Sequence, residues 1–266
     1  MTPLPKGALS ARARRSPILL CLDYDGTIAE IVDDPACAAP HPEAPALLRR
    51  LVARPDRVAL AIVSGREVSV LRRFLGIDDG LILVGVHGLQ ILWPDGEREM
   101  NAGGARGDLA RLRAWISASV PRSLGFRVED KEFSIALHYR SAPAEAAERI
   151  RDAFVEYVKN NTPALTLSPG KCVIEALPRI AGKGHAIRVL LRRFPGFVPV
   201  YFGDDLSDED AFAAIGEAGL SIFVGPERKS AARYRVDSPR DVIRALMEIA
   251  TAIESNFIPQ AEQKPS

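Results

Sequence analysis

The chain has 266 residues, 47% of them hydrophobic and 26% charged, which is a globular composition and excludes a disordered chain. Lys and Arg number 35 against 34 Asp and Glu, so there is no global pull toward nucleic acid or an anionic membrane, and any anion site has to be local. A chain this long buries roughly three quarters of its unfolded surface, as one large domain or two smaller ones.

Arg12, Arg14 and Arg15 precede Ile18–Leu22, an apolar run too short to span a membrane and without a small-residue cleavage site. The run reads as a strand covered on both faces. Ala44–Arg54 reads as a helix with Leu47, Leu48 and Leu51 on one face. Val58–Val63 is a second buried strand, Glu67–Leu75 a helix closed by Gly76, and Leu81–Val86 a third strand. Further on, Ala186–Arg193 is a helix, Pro199–Phe202 a strand, Asp208–Ile215 a helix, Leu220–Val224 a strand and Asp241–Ile253 a final helix. Alternating strands and helices predict a Rossmann-like α/β core with a parallel sheet.

The middle has another rhythm. Gly103-Gly104 and Gly107 mark a join, and Asp108–Ser119 and Ala144–Asn160 read as helices. Phe126–Glu129 pairs with Ser134–Tyr139, and Leu165–Ser168 with Lys171–Ala176 around Pro169-Gly170. This predicts an inserted α+β cap over 104–179, with the core formed by 1–103 and 180–266. Cys21, Cys37 and Cys172 have neither metal-ligand nor disulfide-framework spacing, which fits a reducing, cytoplasmic setting. The polar tail from Ser255 to Ser266 is expected to fray.

Four short segments carry chemistry. Asp23-Tyr24-Asp25-Gly26-Thr27 follows the first buried strand, where ligands of open α/β sheets bind. Two such carboxylates suit a hard divalent cation, and one held this way can attack phosphorus. A solvated acidic turn would look the same. Ser64-Gly65-Arg66 opens a helix and offers a hydroxyl and backbone N–H groups to an anion, or simply an N-cap. Gly182-Lys183-Gly184 also opens a helix, and its Lys can neutralise a phosphoryl group or lie exposed. Gly203-Asp204-Asp205-Leu206-Ser207-Asp208-Glu209-Asp210 crowds five carboxylates after a strand. Helix capping accounts for Asp208 to Asp210 better than for Asp204 and Asp205. Together the four supply nucleophile, acid/base, phosphate donors, a cation and metal ligands, the parts list of metal-assisted phosphoryl transfer.

In this order, the motifs resemble the haloacid dehalogenase superfamily of phosphatases. More narrowly, the chain from about Ile18 to Ile249 is similar to the trehalose-6-phosphate phosphatases. That support lies in Val84-Gly85-Val86-His87-Gly88, Val128-Glu129-Asp130-Lys131, His138-Tyr139-Arg140, Val173-Ile174-Glu175 with Pro178, and Asp204 to Phe212, where Ser207 stands in place of the usual Thr. The resemblance implies a haloacid dehalogenase fold and Mg²⁺ as cofactor. It makes Asp23 the nucleophile and Asp25 the acid/base, with the Asp25 backbone carbonyl reaching the metal. Asp204 becomes a metal ligand, with Asp205 or Asp208 ordering the metal's waters. Ser64 and Lys183 hold the phosphoryl oxygens. Gly65 belongs to the same anion loop, and Arg66 orients it or contacts substrate. His87 contacts sugar from the core side or is structural. Glu129, Lys131, Arg140, Lys171 and Glu175 read the sugar from the cap.

The substrate implied is a small sugar phosphate, with no nucleic acid or membrane partner and a possible functional pairing with a trehalose-6-phosphate synthase. Three alternatives stay open. They are a sucrose-phosphate or mannosyl-3-phosphoglycerate phosphatase, a phosphorylatable receiver-type regulator, and a non-catalytic synthase partner.

Overall fold

In the computed structural model the described residues are 1–32, 34–100, 104–170 and 172–255. They form two compact units. One comprises Met1–Glu99 together with the chain from Gly182 onward, and the other Met100–Ala181.

The first unit contains β1 (Thr2–Pro3), α1 (Ala8–Arg15), β2 (Ile18–Leu22), α2 (Ala44–Val52), β3 (Val58–Val63), α3 (Val68–Leu75), β4 (Leu81–Gly85), β5 (Gln90–Leu92) and most of β6 (Arg98–Met100). The second holds α4 (Ala105–Ser119), β7 (Arg127–Asp130), β8 (Ile135–His138), α5 (Ala144–Asn161), β9 (Leu165–Gly170) and β10 (Val173–Pro178). The chain then returns to the first unit with α6 (Lys183–Arg193), β11 (Val198–Gly203), α7 (Glu209–Ile215), β12 (Leu220–Val224), β13 (Tyr234–Val236) and α8 (Pro239–Ser255).

The large sheet has the order β1-β13-β12-β11-β2-β3-β4-β5-β6. It is parallel from β1 through β4, and β5 then runs antiparallel to β4. Both faces of its central strands are buried, which explains why they read as unbroken apolar runs. Strand alternation splits the residues between two cores. Ile18, Leu20, Leu22, Leu60 and Phe202 pack with α2, α3 and α8, while Leu19, Cys21, Ala61, Tyr201 and Phe223 pack with α6 and α7. Each buried Leu or Ile contributes roughly 1.5–3 kcal/mol of transfer free energy, which drives this layering. The short elements α1, β1, β5, β6 and β13 carry too little apolar pattern to be read from sequence. The Arg12, Arg14 and Arg15 group lies in the last turn of α1.

The second unit is a four-stranded antiparallel sheet, β7-β8-β10-β9, backed by α4 and α5. One face of the sheet (Leu137, Ile135, Ile174, Ala176, Leu165) joins Leu109, Leu112, Ile116 and Phe154 of the helices. Asp108, 5% exposed, accepts from the Ala164 backbone N–H at 2.7 Å and pairs with Arg111, tying α4 to the approach to β9. The unit is a few residues wider than 104–179. Arg179 donates from its backbone N–H to Ala164 and from its side chain to Pro163, and Ala181 N–H donates to Pro178, so 179–181 stay with the insert. Pro169 and Gly170 pair with Ile174 and Val173 instead of forming the hairpin turn. β9 is an edge strand, where a Pro is tolerated. Lys171 and the tail from 256 lie outside the described residues.

Candidate active site

The ends of β2, β3, β4 and β11 and the start of α6 surround a cavity of about 640 Å³ in the first unit. Asp23 follows β2 directly, and its N–H continues the ladder to Phe202 O at 2.9 Å. Its side chain is therefore carried on a rigid strand end, 4% exposed. Lys183, the first residue of α6, is 3% exposed, and its Nζ lies 2.7 Å from Asp23 Oδ1 and 2.8 Å from Asp208 Oδ1. The exposed-lysine alternative is thereby excluded for Lys183. Burial works against its ammonium, but Asp23 and Asp208 outweigh burial and push its pKa up. Lys183 is thus a fixed cation.

Asp208 is fully buried and saturated. Oδ1 accepts from Lys183 Nζ and from Tyr201 Oη at 2.6 Å, and Oδ2 accepts from the backbone N–H groups of Asp204 and Asp205 at 3.1 and 3.0 Å. Four donors fill the four acceptor positions of a carboxylate. Those four bonds define what Asp208 does in this arrangement. It anchors the Asp204-Asp205 loop and Lys183.

Asp205 also lines the cavity. Its side chain caps the short 3₁₀ turn Leu206–Asp208, and it is absent from the acidic cluster, which among the described residues is Asp23, Asp204 and Asp208. Each member of that cluster places an oxygen within 4.8 Å of the others. Burial pushes Asp23 up more than Lys183 holds it down, with Asp208 and Asp204 adding to the rise. Burial likewise pushes Asp204 up to about 6, against a hydrogen bond with Asp23. Three carboxylates converging on one ammonium have charge to spare for a hard divalent cation, and Asp23 and Asp204 have the acceptor capacity to hold it.

Asp25 points both carboxylate oxygens at Arg66, which donates from Nε and Nη2 at 2.7 Å each. Arg66 also gives Nη1 to Pro35 O at 2.8 Å and lies over the rings of Tyr24 and Phe74. All three guanidinium nitrogens are thus engaged within the protein. Arg66 is a strut between Asp25 and the 35–37 turn, with three of its five N–H donors spent within the protein. The Asp25 carboxylate is likewise outside the acidic cluster.

Ser64 is 2% exposed, and its Oγ accepts the Arg66 backbone N–H at 3.2 Å, so it caps its own loop. His87 lines the cavity with its imidazole against Gly65, where an added Cβ would lie 2.7 Å from the ring. The His87 backbone joins three loops. Val86 N–H donates to Arg66 O, His87 N–H to Ser64 O, and His87 O accepts from Gly182 N–H at 2.7 Å. Val86 and His87 adopt φ of 49° and 53°. The left-handed region is costly for a β-branched residue, and the three bonds offset that cost while fixing the spacing of the Ser64 and Lys183 loops.

In the second unit, Glu129, Ala136, Glu175 and Ser168 form one row across the open face of the sheet. Ala136, itself buried, separates the two carboxylates in that row. Glu175 accepts from Lys131 Nζ at 3.1 Å and Ser134 Oγ at 2.5 Å, and Glu129 lies 3.2 Å from His138 Nε2. Arg140 is exposed in the turn after β8. Sequence reasoning assigned no individual role to Tyr201, Ser134 or His138. Tyr201 is hidden in an apolar strand, and the polar tip of a Tyr carries no sequence signal of where it points.

The trehalose-phosphatase family model matches residues 21–240. The trehalose-phosphate phosphatases of Mycobacterium marinum and Mycobacterium avium are 34% and 33% identical over 245 and 263 residues. These matches cover 88% and 93% of this chain but 61% and 66% of those proteins, so the chain spans about six tenths of the length of the curated relatives it matches. The structure of Aspergillus fumigatus trehalose-6-phosphate phosphatase superposes with a TM-score of 0.78 at 26% identity, covering 95% of this chain and all of that one. The parallel-sheet core is thus a haloacid dehalogenase fold. With a family match that runs from the strand before Asp23 to the start of α8, this chain belongs to the trehalose-phosphatase family.

Proposed function

We propose that the chain is a Mg²⁺-dependent phosphatase that releases trehalose and inorganic phosphate from trehalose 6-phosphate through a phosphorylated Asp23. The observation that carries this reading is the buried Lys183 ammonium held between Asp23 and Asp208 at the floor of the cavity. A carboxylate beside a fixed positive charge that can take a phosphoryl oxygen supports a nucleophilic role for Asp23. Bound at Asp23 and Asp204, Mg²⁺ would supply Lewis-acid neutralisation of phosphoryl charge.

An Asp23 carboxylate oxygen attacks phosphorus, and the bond from phosphorus to the sugar oxygen breaks. Asp25 gives that oxygen its proton, and trehalose leaves. Asp25 then takes a proton from the incoming water, whose oxygen displaces Asp23 from phosphorus. Because Arg66 holds both Asp25 oxygens here, turnover requires one of them to be freed toward the leaving group. Lys183 and Ser64 retain the phosphoryl oxygens throughout. The insert acts as the specificity cap, with Glu129, Lys131, Arg140, Lys171 and Glu175 reading sugar hydroxyls. A trehalose-6-phosphate synthase reaction is the natural source of substrate. Three free cysteines, one of them exposed, fit a cytoplasmic setting. No helix among the described residues is long and apolar enough to cross a membrane.

The test is turnover of trehalose 6-phosphate, sucrose 6-phosphate and glucose 6-phosphate with Mg²⁺ and after chelation. The expected result is metal-dependent preference for the first and loss of turnover in Asp23→Asn. Equal rates on the three substrates would refute the substrate, and an active Asp23→Asn would refute the mechanism.

A further inference from the structure

Tyr201 sits in the middle of β11 on the α6–α7 side of the sheet, with 0% exposure and its ring edge-on to Phe212 at 5.7 Å. A buried tyrosine hydroxyl needs a partner. Within this apolar core, the partner is the carboxylate oxygen that also holds Lys183, Asp208 Oδ1, at 2.6 Å.

We propose that Tyr201 is a positioning residue for the phosphoryl-binding ammonium of Lys183, acting through Asp208. The proposal rests on the phosphatase reading above, though not on the identity of the sugar.

Lys183 has three N–H donors. Two are committed, to Asp23 and Asp208, and one is left for a phosphoryl oxygen. Asp208 has room for four donors and receives four, of which Tyr201 is the only neutral side chain. The phenol hydrogen bond removes part of the negative charge that Oδ1 presents to Lys183. It also prevents that oxygen from claiming a second N–H.

Without the hydroxyl, Oδ1 is left under-coordinated in a site with no exposure. The nearest donor able to compensate is Lys183 itself. The ammonium would turn toward Asp208, and the N–H reserved for phosphate would be lost. A tyrosine that served only packing could present its hydroxyl anywhere polar. This one completes the single carboxylate that positions both the cation and the Asp204-Asp205 loop.

Tyr201→Phe tests this on the Mg²⁺-loaded protein, because the ring contact with Phe212 survives the change. Hydrogen bonds to charged groups set the scale. The inhibition constant of inorganic phosphate should rise about tenfold, and kcat should fall by a similar factor on both trehalose 6-phosphate and p-nitrophenyl phosphate. The ratio of the two substrates should not change, since Lys183 touches only their common phosphoryl group. A fraction of misfolded protein would lower kcat but not move the inhibition constant. As a second variant, 3-fluorotyrosine at 201, a stronger donor of the same shape, should lower the inhibition constant. If Tyr201→Phe lowers melting temperature alone, or folds poorly while 3-fluorotyrosine leaves phosphate inhibition at the wild-type value, the proposal is overturned. A wild-type protein that turns over p-nitrophenyl phosphate but not trehalose 6-phosphate overturns the sugar assignment and leaves the Tyr201 test intact. A wild type that turns over neither overturns both.

Discussion

Gly26 separates backbone strain from displacement of a ligand. It has φ +74°, and a Cβ built on it would fall inside the Asp204 carboxylate, with Oδ1 at 2.8 Å and Oδ2 and Cγ closer still. Gly26→Ala therefore carries two penalties. The left-handed conformation costs roughly 1–2 kcal/mol for a residue with a side chain. In a domain of this size that lowers the melting temperature by about 2–8 °C. The second penalty is local: the Asp204 carboxylate has to retreat by roughly 1 Å, where a metal–oxygen distance tolerates about 0.2 Å. Gly96 is the control. It has φ +84° and no atom within 4 Å of its added Cβ, so Gly96→Ala should show the first penalty and not the second. Thermal melts without metal should fall by similar amounts for both variants. In Mg²⁺ titrations of phosphatase activity, Gly96→Ala should keep the wild-type midpoint, and Gly26→Ala should need at least tenfold more Mg²⁺. A Gly26→Ala protein with wild-type Mg²⁺ dependence would refute the assignment of Asp204 as the metal-holding carboxylate.

Two further outcomes are expected. Because the Asp204 pKa in the metal-free protein is raised to about 6, the stability it contributes is complete below about pH 4 and is lost as pH rises through 6. After allowing for solvent screening of a partly exposed group, the loss is about 2 kcal/mol. Mg²⁺ takes the ionised form, so the rise in melting temperature on adding it should grow from pH 5 to pH 7.5; a pH-independent rise would contradict this. Glu175→Ala removes the shared acceptor of Lys131 and Ser134. It should weaken kcat/KM for trehalose 6-phosphate about tenfold or more and leave p-nitrophenyl phosphate unchanged, because the second has no sugar to read; equal losses on both would remove Glu175 from substrate recognition.

The core was legible because its physics is local. Unbroken runs such as Ile18–Leu22 and Val58–Val63 have no polar side to present, so they can only be covered strands, and Asp23 and Ser64 follow from their ends. The division of labour among the carboxylates was not legible. Asp204, Asp205 and Asp208 are near neighbours of one residue type, and their roles depend on which donors the fold brings to each. Asp208 faces Tyr201 and Lys183, which come from different elements, while Asp205 turns back onto its own loop. The same limit applies to Arg66. Its motif suggests an anion ligand, but its partner Asp25 lies 41 residues earlier and its second support, Pro35 O, comes from a loop with no motif at all. Long-range pairing of charged side chains leaves no periodic trace in a sequence.

Charge counting joins these parts into one requirement. Asp23, Asp204 and Asp208 with Lys183 carry a net charge of −2 when all are ionised, and Asp25 is balanced separately by Arg66. A phosphate monoester brings up to two more negative charges. Two like unit charges about 4 Å apart repel by about 4 kcal/mol at an effective dielectric of 20, so an anion does not enter such a site unaided. Protonation offers one escape, which is what the raised pKa values of Asp23 and Asp204 express. It would protonate Asp23, the group proposed to attack. A divalent cation offers the other, since it cancels the excess and keeps Asp23 ionised. On the proposed mechanism, the site that holds Asp23 beside Lys183 would therefore also need a metal before phosphate binds. Phosphate affinity should then depend on Mg²⁺ more steeply than the folding of the core does.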